Sequence, residues 1–139
     1  MKILIMGLPG SGKTWLAERL QKHLNCAWFN ADMVRNMAND WNFDRTSRIR
    51  QSYRMRNMAD YEVGCGSSVI CDFVCPNDET RQAFRPDITI WVDTITEGRY
   101  TDTNKIFNQP SYYDIHIDTY LSDQEIEKLA ERLKVRLKK

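Results

Sequence analysis

Eight residues near the start of the chain, Gly7-Leu8-Pro9-Gly10-Ser11-Gly12-Lys13-Thr14, fit the spacing G-x-x-x-x-G-K-[ST]. Glycines at 7, 10 and 12 let the backbone curl with its amides turned inward, a cradle for the oxygens of a polyphosphate. Lys13 reaches the β- and γ-phosphates from this position, and the Thr14 hydroxyl can hold magnesium. The pattern also stands where it must, after the apolar run Lys2–Met6 and before an amphipathic segment whose helical N-terminus adds its dipole to an anion site. The expected ligands are ATP and Mg2+.

A second constellation follows in Asn30-Ala31-Asp32-Met33-Val34-Arg35. An aspartate just past a strand end and facing the phosphate loop suits a base that takes the proton of an attacking hydroxyl. The competing role for Asp32 is a helix N-cap. Arg35, one helical turn on, suits an anionic group of the acceptor. Farther along, Arg45, Arg48, Arg50, Arg54 and Arg56 crowd one predicted helix. At ~100° per residue, Arg45, Arg48 and Arg56 share a side with Ile49, Ala59 and Val63, while Arg50 and Arg54 point away with Asn57. Core-facing Arg45 and Arg48 are therefore expected to hold a sulfate or phosphate of the substrate, and Arg50 and Arg54 to form a solvated face. Val69-Ile70-Cys71-Asp72 is an apolar run closed by a carboxylate, so Asp72 is expected either to orient magnesium or to cap the following turn. Met33, Met37, Met55 and Met58 read as core filler. His23 and His116 stand alone and receive no role.

Elements that could position these residues are legible from the hydrophobic period. Lys2–Met6, Cys26–Phe29, Ser68–Phe73, Ile88–Val92 and Asp114–Ile117 are predicted strands; Lys13–Leu24, Asp32–Asn39, Arg45–Val63, Asp78–Phe84 and Ser122–Leu137 are predicted helices. Ser122 followed by Glu125 is a capping box for the last helix. Strands alternating with helices imply parallel pairing through right-handed crossovers, hence an α/β sandwich. The polar segment Thr94–Tyr113 is long for a plain connection and is a candidate lid.

Composition narrows the partners. The chain has 139 residues, which suits one domain spanning 1–139, and 42% of them are apolar, which excludes disorder as the main state. Twenty basic against nineteen acidic side chains leave a net charge of +1, so a histone-like partner is not expected. No apolar run approaches a membrane span, and a cytoplasmic location is expected. Cys26, Cys65, Cys71 and Cys75 lack zinc spacing and read as reduced core thiols. Asn104-Lys105 is followed by Ile106 and Phe107 rather than by x-Asp, so a guanine pocket of the N-K-x-D kind is absent, and the size suits a small-molecule kinase better than a motor ATPase.

The motifs resemble those of the adenylylsulfate (APS) kinases, which move the ATP γ-phosphate to the 3′-hydroxyl of adenosine 5′-phosphosulfate. Residues 7–14 are similar to that family's GLSGAGKST loop, Asn30–Arg35 to its DGDNVR, and Phe43-Asp44-Arg45 with Ile49-Arg50 to its GFS...DR..NIRR stretch. Phe73-Val74-Cys75-Pro76 with Arg81 resembles FISP...RQ, and Val92-Asp93-Thr94 resembles VDT. The resemblance implies a P-loop kinase three-layer sandwich with a central five-stranded parallel sheet and a shortened lid. It makes Asp32 the base, places Arg35, Arg45 and the backbone near Val74 against the acceptor, and lets Phe43 and Phe107 sandwich its adenine. Asn30, Arg48, Asp72 and Cys75 depart from the family's residues at their positions. Within the shorter lid, Arg99 or Lys105 would replace the family's arginine. The partners implied are ATP and a small anionic nucleotide-like acceptor, with no membrane. Asn30–Arg35 is also similar to the strand-end motif of polynucleotide 5′-kinases, under which nucleic acid is the partner; a nucleotide-binding module without turnover is a third reading. Oligomeric state is open.

Overall fold

The structure is a computed structural model that describes residues 1–96 and 106–138. Strands β1 (Lys2–Met6), β2 (Ala27–Asn30), β3 (Val69–Asp72), β4 (Ile88–Val92) and β5 (Ile115–Ile117) form one sheet in the order β2-β3-β1-β4-β5. Every pairing is parallel. Helices α1 (Lys13–Leu24), α2 (Ala31–Ala38), α3 (Arg45–Gly64), α4 (Asp78–Phe84) and α5 (Asp123–Leu137) connect or close the strands. The α/β sandwich anticipated from the sequence is the observed fold, and element ends move by only a residue or two.

Period-two alternation splits each strand between two cores. Ile3, Ile5, Ile70, Ile88 and Ile90 face α1 and α5, where they meet Leu16, Leu20, Ile126 and Leu133. Leu4, Met6, Val69, Cys71 and Trp91 face the other way, toward α2, α3 and α4 through Val34, Met55 and Phe84. Both faces are covered, which is why these strands read as continuous apolar runs. The helix leaving β1 and the helix leaving β3 lie on opposite faces. The crevice between them, at the carboxyl ends of these neighbouring strands, is where such sheets bind ligands.

Several expectations need correction. Helix α3 buries Ser47, Gln51, Ser52, Met55 and Ala59, whereas Val63 is exposed. Its inward face is partly polar because Gln51 Nε2 donates to Ala31 O at 3.1 Å, so apolar residues alone misplace the face. Arg45 consequently lies in the open, with 79% of its side chain exposed. Arg50 and Arg54 do not form a plain solvated face: both donate to the buried Asp40. Met33 and Met37 are exposed rather than core filler, while Met55 is fully buried. The cysteines are free thiols, but Cys65 is exposed and only Cys71 and Cys75 are fully enclosed. Burial pushes the Cys75 thiol up to about 12, as for an inert core side chain. Of the candidate lid, Arg99 and Lys105 lie outside the described residues. Among the described residues no helix is long and apolar enough to cross a membrane.

Candidate active site

The phosphate loop joins β1 to α1 and is held from three sides. Gly7 adopts φ +157°, and a Cβ there would come within 2.3 Å of Val92 O. Gly12 adopts φ +100° at the N-cap of α1, with the Tyr120 ring 2.8 Å from where a Cβ would stand. The Thr94 hydroxyl donates to Ser11 O at 2.6 Å, tying the loop to the end of β4. Lys13 is buried and its Nζ donates to Leu8 O at 3.0 Å, so the ammonium is folded over its own loop. Gly7→Ala is expected to cost at least about 1–3 kcal/mol through backbone strain alone, with the collision against Val92 O in addition. A lower urea midpoint at unchanged slope checks this.

Strand register assembles the next cluster. Asn30 is paired with Asp72 and Trp28 with Ile70, so alternate side chains of β2 and β3 emerge on the α1 side. There the Thr14 hydroxyl donates to Asp72 Oδ2 at 2.9 Å and Trp28 Nε1 donates to Asp72 Oδ1 at 2.6 Å. Asn30 Nδ2 reaches Thr14 Oγ1 at 3.1 Å and Asp72 Oδ2 at 3.1 Å. Burial pushes the Asp72 carboxyl up, opposed by these donors and by the Lys13 charge. The Asp72 oxygens thus accept from Trp28, Thr14 and Asn30, while Asn77 caps the following helix α4. A hydroxyl and a carboxylate oxygen side by side at a phosphate loop are the hard oxygen donors that Mg2+ takes, so these residues fit the ion.

Asn30 also fills the capping role that stood as the competing expectation for Asp32. Its Oδ1 accepts the Met33 amide at 3.1 Å, making Asn30 the N-cap of α2. Asp32 is left exposed in the first turn, on the wall of a cleft of ≈ 1440 Å³. Lys13 and Thr14 line the same cleft, as do Pro9, Gly10 and Gly12.

The far half of the cleft is built from the α2–α3 connection on one side and the β3–α4 connection on the other. Arg35 is buried; its Nη1 donates to Asp40 O at 2.8 Å and Asn42 O at 2.9 Å, and its guanidinium lies 4.4 Å from the Phe43 ring centre. Asp40 is gripped by Arg50 Nε at 3.0 Å and Arg54 Nη2 at 3.1 Å, bonds that hold its carboxyl well below the usual carboxylate range. These four residues fix a loop that presents Trp41 and Phe43 to the cleft. Arg45 and Arg48 line it from α3, and Val74 from the opposite wall. That wall is set by Arg81, which donates to Cys75 O at 3.0 Å, to Pro76 O at 3.1 Å and to Asn108 O. The Arg81 guanidinium also lies over the Phe107 ring, 5.4 Å from its centre.

Sequence reasoning missed Asn30, Trp28, Asp40, Trp41 and Glu79. Asn30 and Trp28 carried a usable signal, because period-two alternation on β2 places both beside the end of β3 once the two strands are taken as neighbours. Asp40 and Glu79 act through partners distant along the chain, which no local spacing reveals.

A family described as an AAA domain matches residues 3–105. No curated protein matches the chain by sequence. Among solved structures, the APS kinase of Mycobacterium tuberculosis in complex with AMPPNP and APS superposes with a TM-score of 0.79 at 19% identity, covering 99% of this chain and 97% of that one. An unliganded sugar kinase from Janibacter sp. HTCC2649 gives 0.76 at 17% identity, covering 99% and 96%. Shikimate kinase from Aquifex aeolicus gives 0.66 at 16% identity, covering 98% of each chain. The architecture is thus the P-loop kinase fold, shared by enzymes of different acceptors.

Proposed function

The chain belongs to the AAA domain family, and on that premise we propose that it is an ATP-dependent small-molecule kinase whose acceptor is an anionic nucleotide of the adenylylsulfate type. The observation that carries the reading is the position of Asp32. Its carboxylate is spared from capping by Asn30, and the residue stands on a cleft wall shared with Lys13 and Thr14. A hydroxyl bound there gives its proton to Asp32 as its oxygen attacks the γ-phosphorus. The bond from that phosphorus to the bridging oxygen breaks, and ADP leaves. Lys13 stabilises the charge that spreads over the transferred oxygens. Thr14 and Asp72 would hold Mg2+, which when bound neutralises phosphate charge.

Phe43, with its ring set by Arg35, offers a face for an adenine, and Arg45 and Arg48 offer cations for the phosphosulfate. The engagement of Arg50 and Arg54 with Asp40 favours such a compact acceptor over a nucleic-acid end, because the outward stripe that would follow a strand is already spent on the protein's own loop. Substituting either arginine is therefore expected to lower stability rather than to flatten a salt dependence.

A transfer assay with γ-labelled ATP, offering APS, nucleosides, nucleoside monophosphates and 5′-hydroxyl oligonucleotides, tests the reading. Labelled product is expected with APS. Label in the oligonucleotide instead, or in none of the acceptors, removes it. Within that assay Arg45→Ala is expected to raise the APS KM more than tenfold at unchanged ATP KM, since the variant loses a charge-assisted bond to the acceptor's anionic group. An unchanged APS KM counts against Arg45 as an acceptor ligand.

A further inference from the structure

Arg45 is already engaged. Its Nε donates to Glu79 Oε1 at 2.9 Å and its Nη2 to Glu79 Oε2 at 2.6 Å, a two-pronged grip across the cleft from the first residue of α3 to the first turn of α4. Both side chains line the cleft. Glu79 cannot drift far, because the Asn77–Thr80 capping box fixes the start of α4: Thr80 N donates to Asn77 Oδ1 at 3.0 Å and Asn77 N to Thr80 Oγ1 at 3.2 Å. The pair is open to water, with 79% of the Arg45 side chain and 40% of the Glu79 side chain exposed. An ion pair so exposed contributes little to stability, so the fold does not require it.

The two Glu79 oxygens occupy the guanidinium edge that a phosphate or sulfate would take. We propose that Glu79 is a specificity-determining residue: by forking Arg45 it competes with the acceptor's anionic group and keeps simple anions out of the site. An incoming oxyanion must displace the carboxylate and then tolerate it nearby, anchored on α4, as a like charge. Free sulfate or phosphate has only the guanidinium groups of Arg45 and its neighbour Arg48 to bind. A nucleotide-like acceptor has in addition the Phe43 face and the Asp32 carboxylate, and those contacts offset the displacement. This inference rests on the reading of Arg45 as an acceptor ligand, and it names the feature that makes the site demand a whole acceptor rather than its anion alone.

Inorganic sulfate is a probe that does not presuppose the acceptor. With the phosphate loop filled by MgADP, calorimetric titration with sodium sulfate at constant ionic strength is expected to show at least tenfold tighter binding in Glu79→Gln than in the unaltered protein. The double variant Glu79→Gln/Arg45→Gln is expected to return to the weak binding. Glu79→Ala carries the same test should the glutamine variant fail to fold by circular dichroism. Equal sulfate affinity with and without Glu79, or tight sulfate that survives loss of Arg45, overturns the proposal. APS offered in parallel separates the two readings. Sulfate that tightens while neither protein phosphorylates APS leaves Glu79 as the competitor and removes APS as the acceptor, whereas unchanged sulfate removes the role of Glu79 whatever APS does.

Discussion

Replacing Lys13 by alanine is expected to lower phosphoryl transfer by at least ~10²–10³-fold, the loss typical of one preorganised electrostatic donor in a water-poor site. Lys13 is suited to that effect because its position is set before any ligand arrives. It is the first residue of α1, it is buried, and its ammonium rests on Leu8 O within the loop itself. The backbone that carries it is fixed separately, by the close approach of Gly7 to Val92 O and by the Thr94–Ser11 bond. Alanine removes the bond to Leu8 O, of a kind worth ~0.5–1.5 kcal/mol, from a loop with these other anchors. The fold should therefore survive, and circular dichroism beside the transfer assay separates the two effects. Normal turnover by a folded Lys13→Ala protein would remove the kinase reading altogether.

Features fixed by short-range sequence were legible, and those fixed by contacts between distant segments were not. The phosphate loop announces itself because its glycines answer a local steric demand, and α5 because Ser122 and Glu125 close a capping box on each other across three residues. Helix α3 was misread for the opposite reason. Its apolar residues are scattered, and the inward face is decided by Gln51 bonding to Ala31 O and by small serines against the sheet side of the protein. The sense of Arg50 and Arg54 followed from that face. Their partner, Asp40, is a single acid in a loop, and nothing in its surroundings along the chain distinguishes it from a solvated one. Glu79 is similar: the first turn of any helix favours an acid, so its contact with Arg45 was hidden behind an ordinary helix-dipole preference. Asp72 was legible only in part. Its place at the end of an apolar run was visible, but its contacts needed the order of the sheet, which sets β2 beside β3 and so brings Trp28 and Asn30 onto its oxygens.

Asp32→Asn is expected to lower kcat by ~10²–10⁴-fold, the range for a lost general base, with little change in the ATP KM. The two side chains are nearly the same size, and Asp32 is exposed at the cleft wall, so the substitution disturbs no packing. It disturbs no cap either, because the Met33 amide is taken by Asn30 Oδ1 rather than by Asp32. What the amide lacks is the ability to accept the proton of an attacking hydroxyl. The neighbouring Asn30→Ala gives the contrast. Removing that cap costs about 1 kcal/mol and also releases the bonds from Asn30 to Thr14 and Asp72, so its signature is a lower melting midpoint together with a raised ATP KM. Rates normalised to folded protein, measured beside thermal unfolding for both variants, resolve the assignment. If Asp32→Asn keeps its rate and melts early, the carboxylate stabilises the first turn of α2 and the base lies elsewhere; if it keeps its midpoint and loses its rate, the proton goes to Asp32.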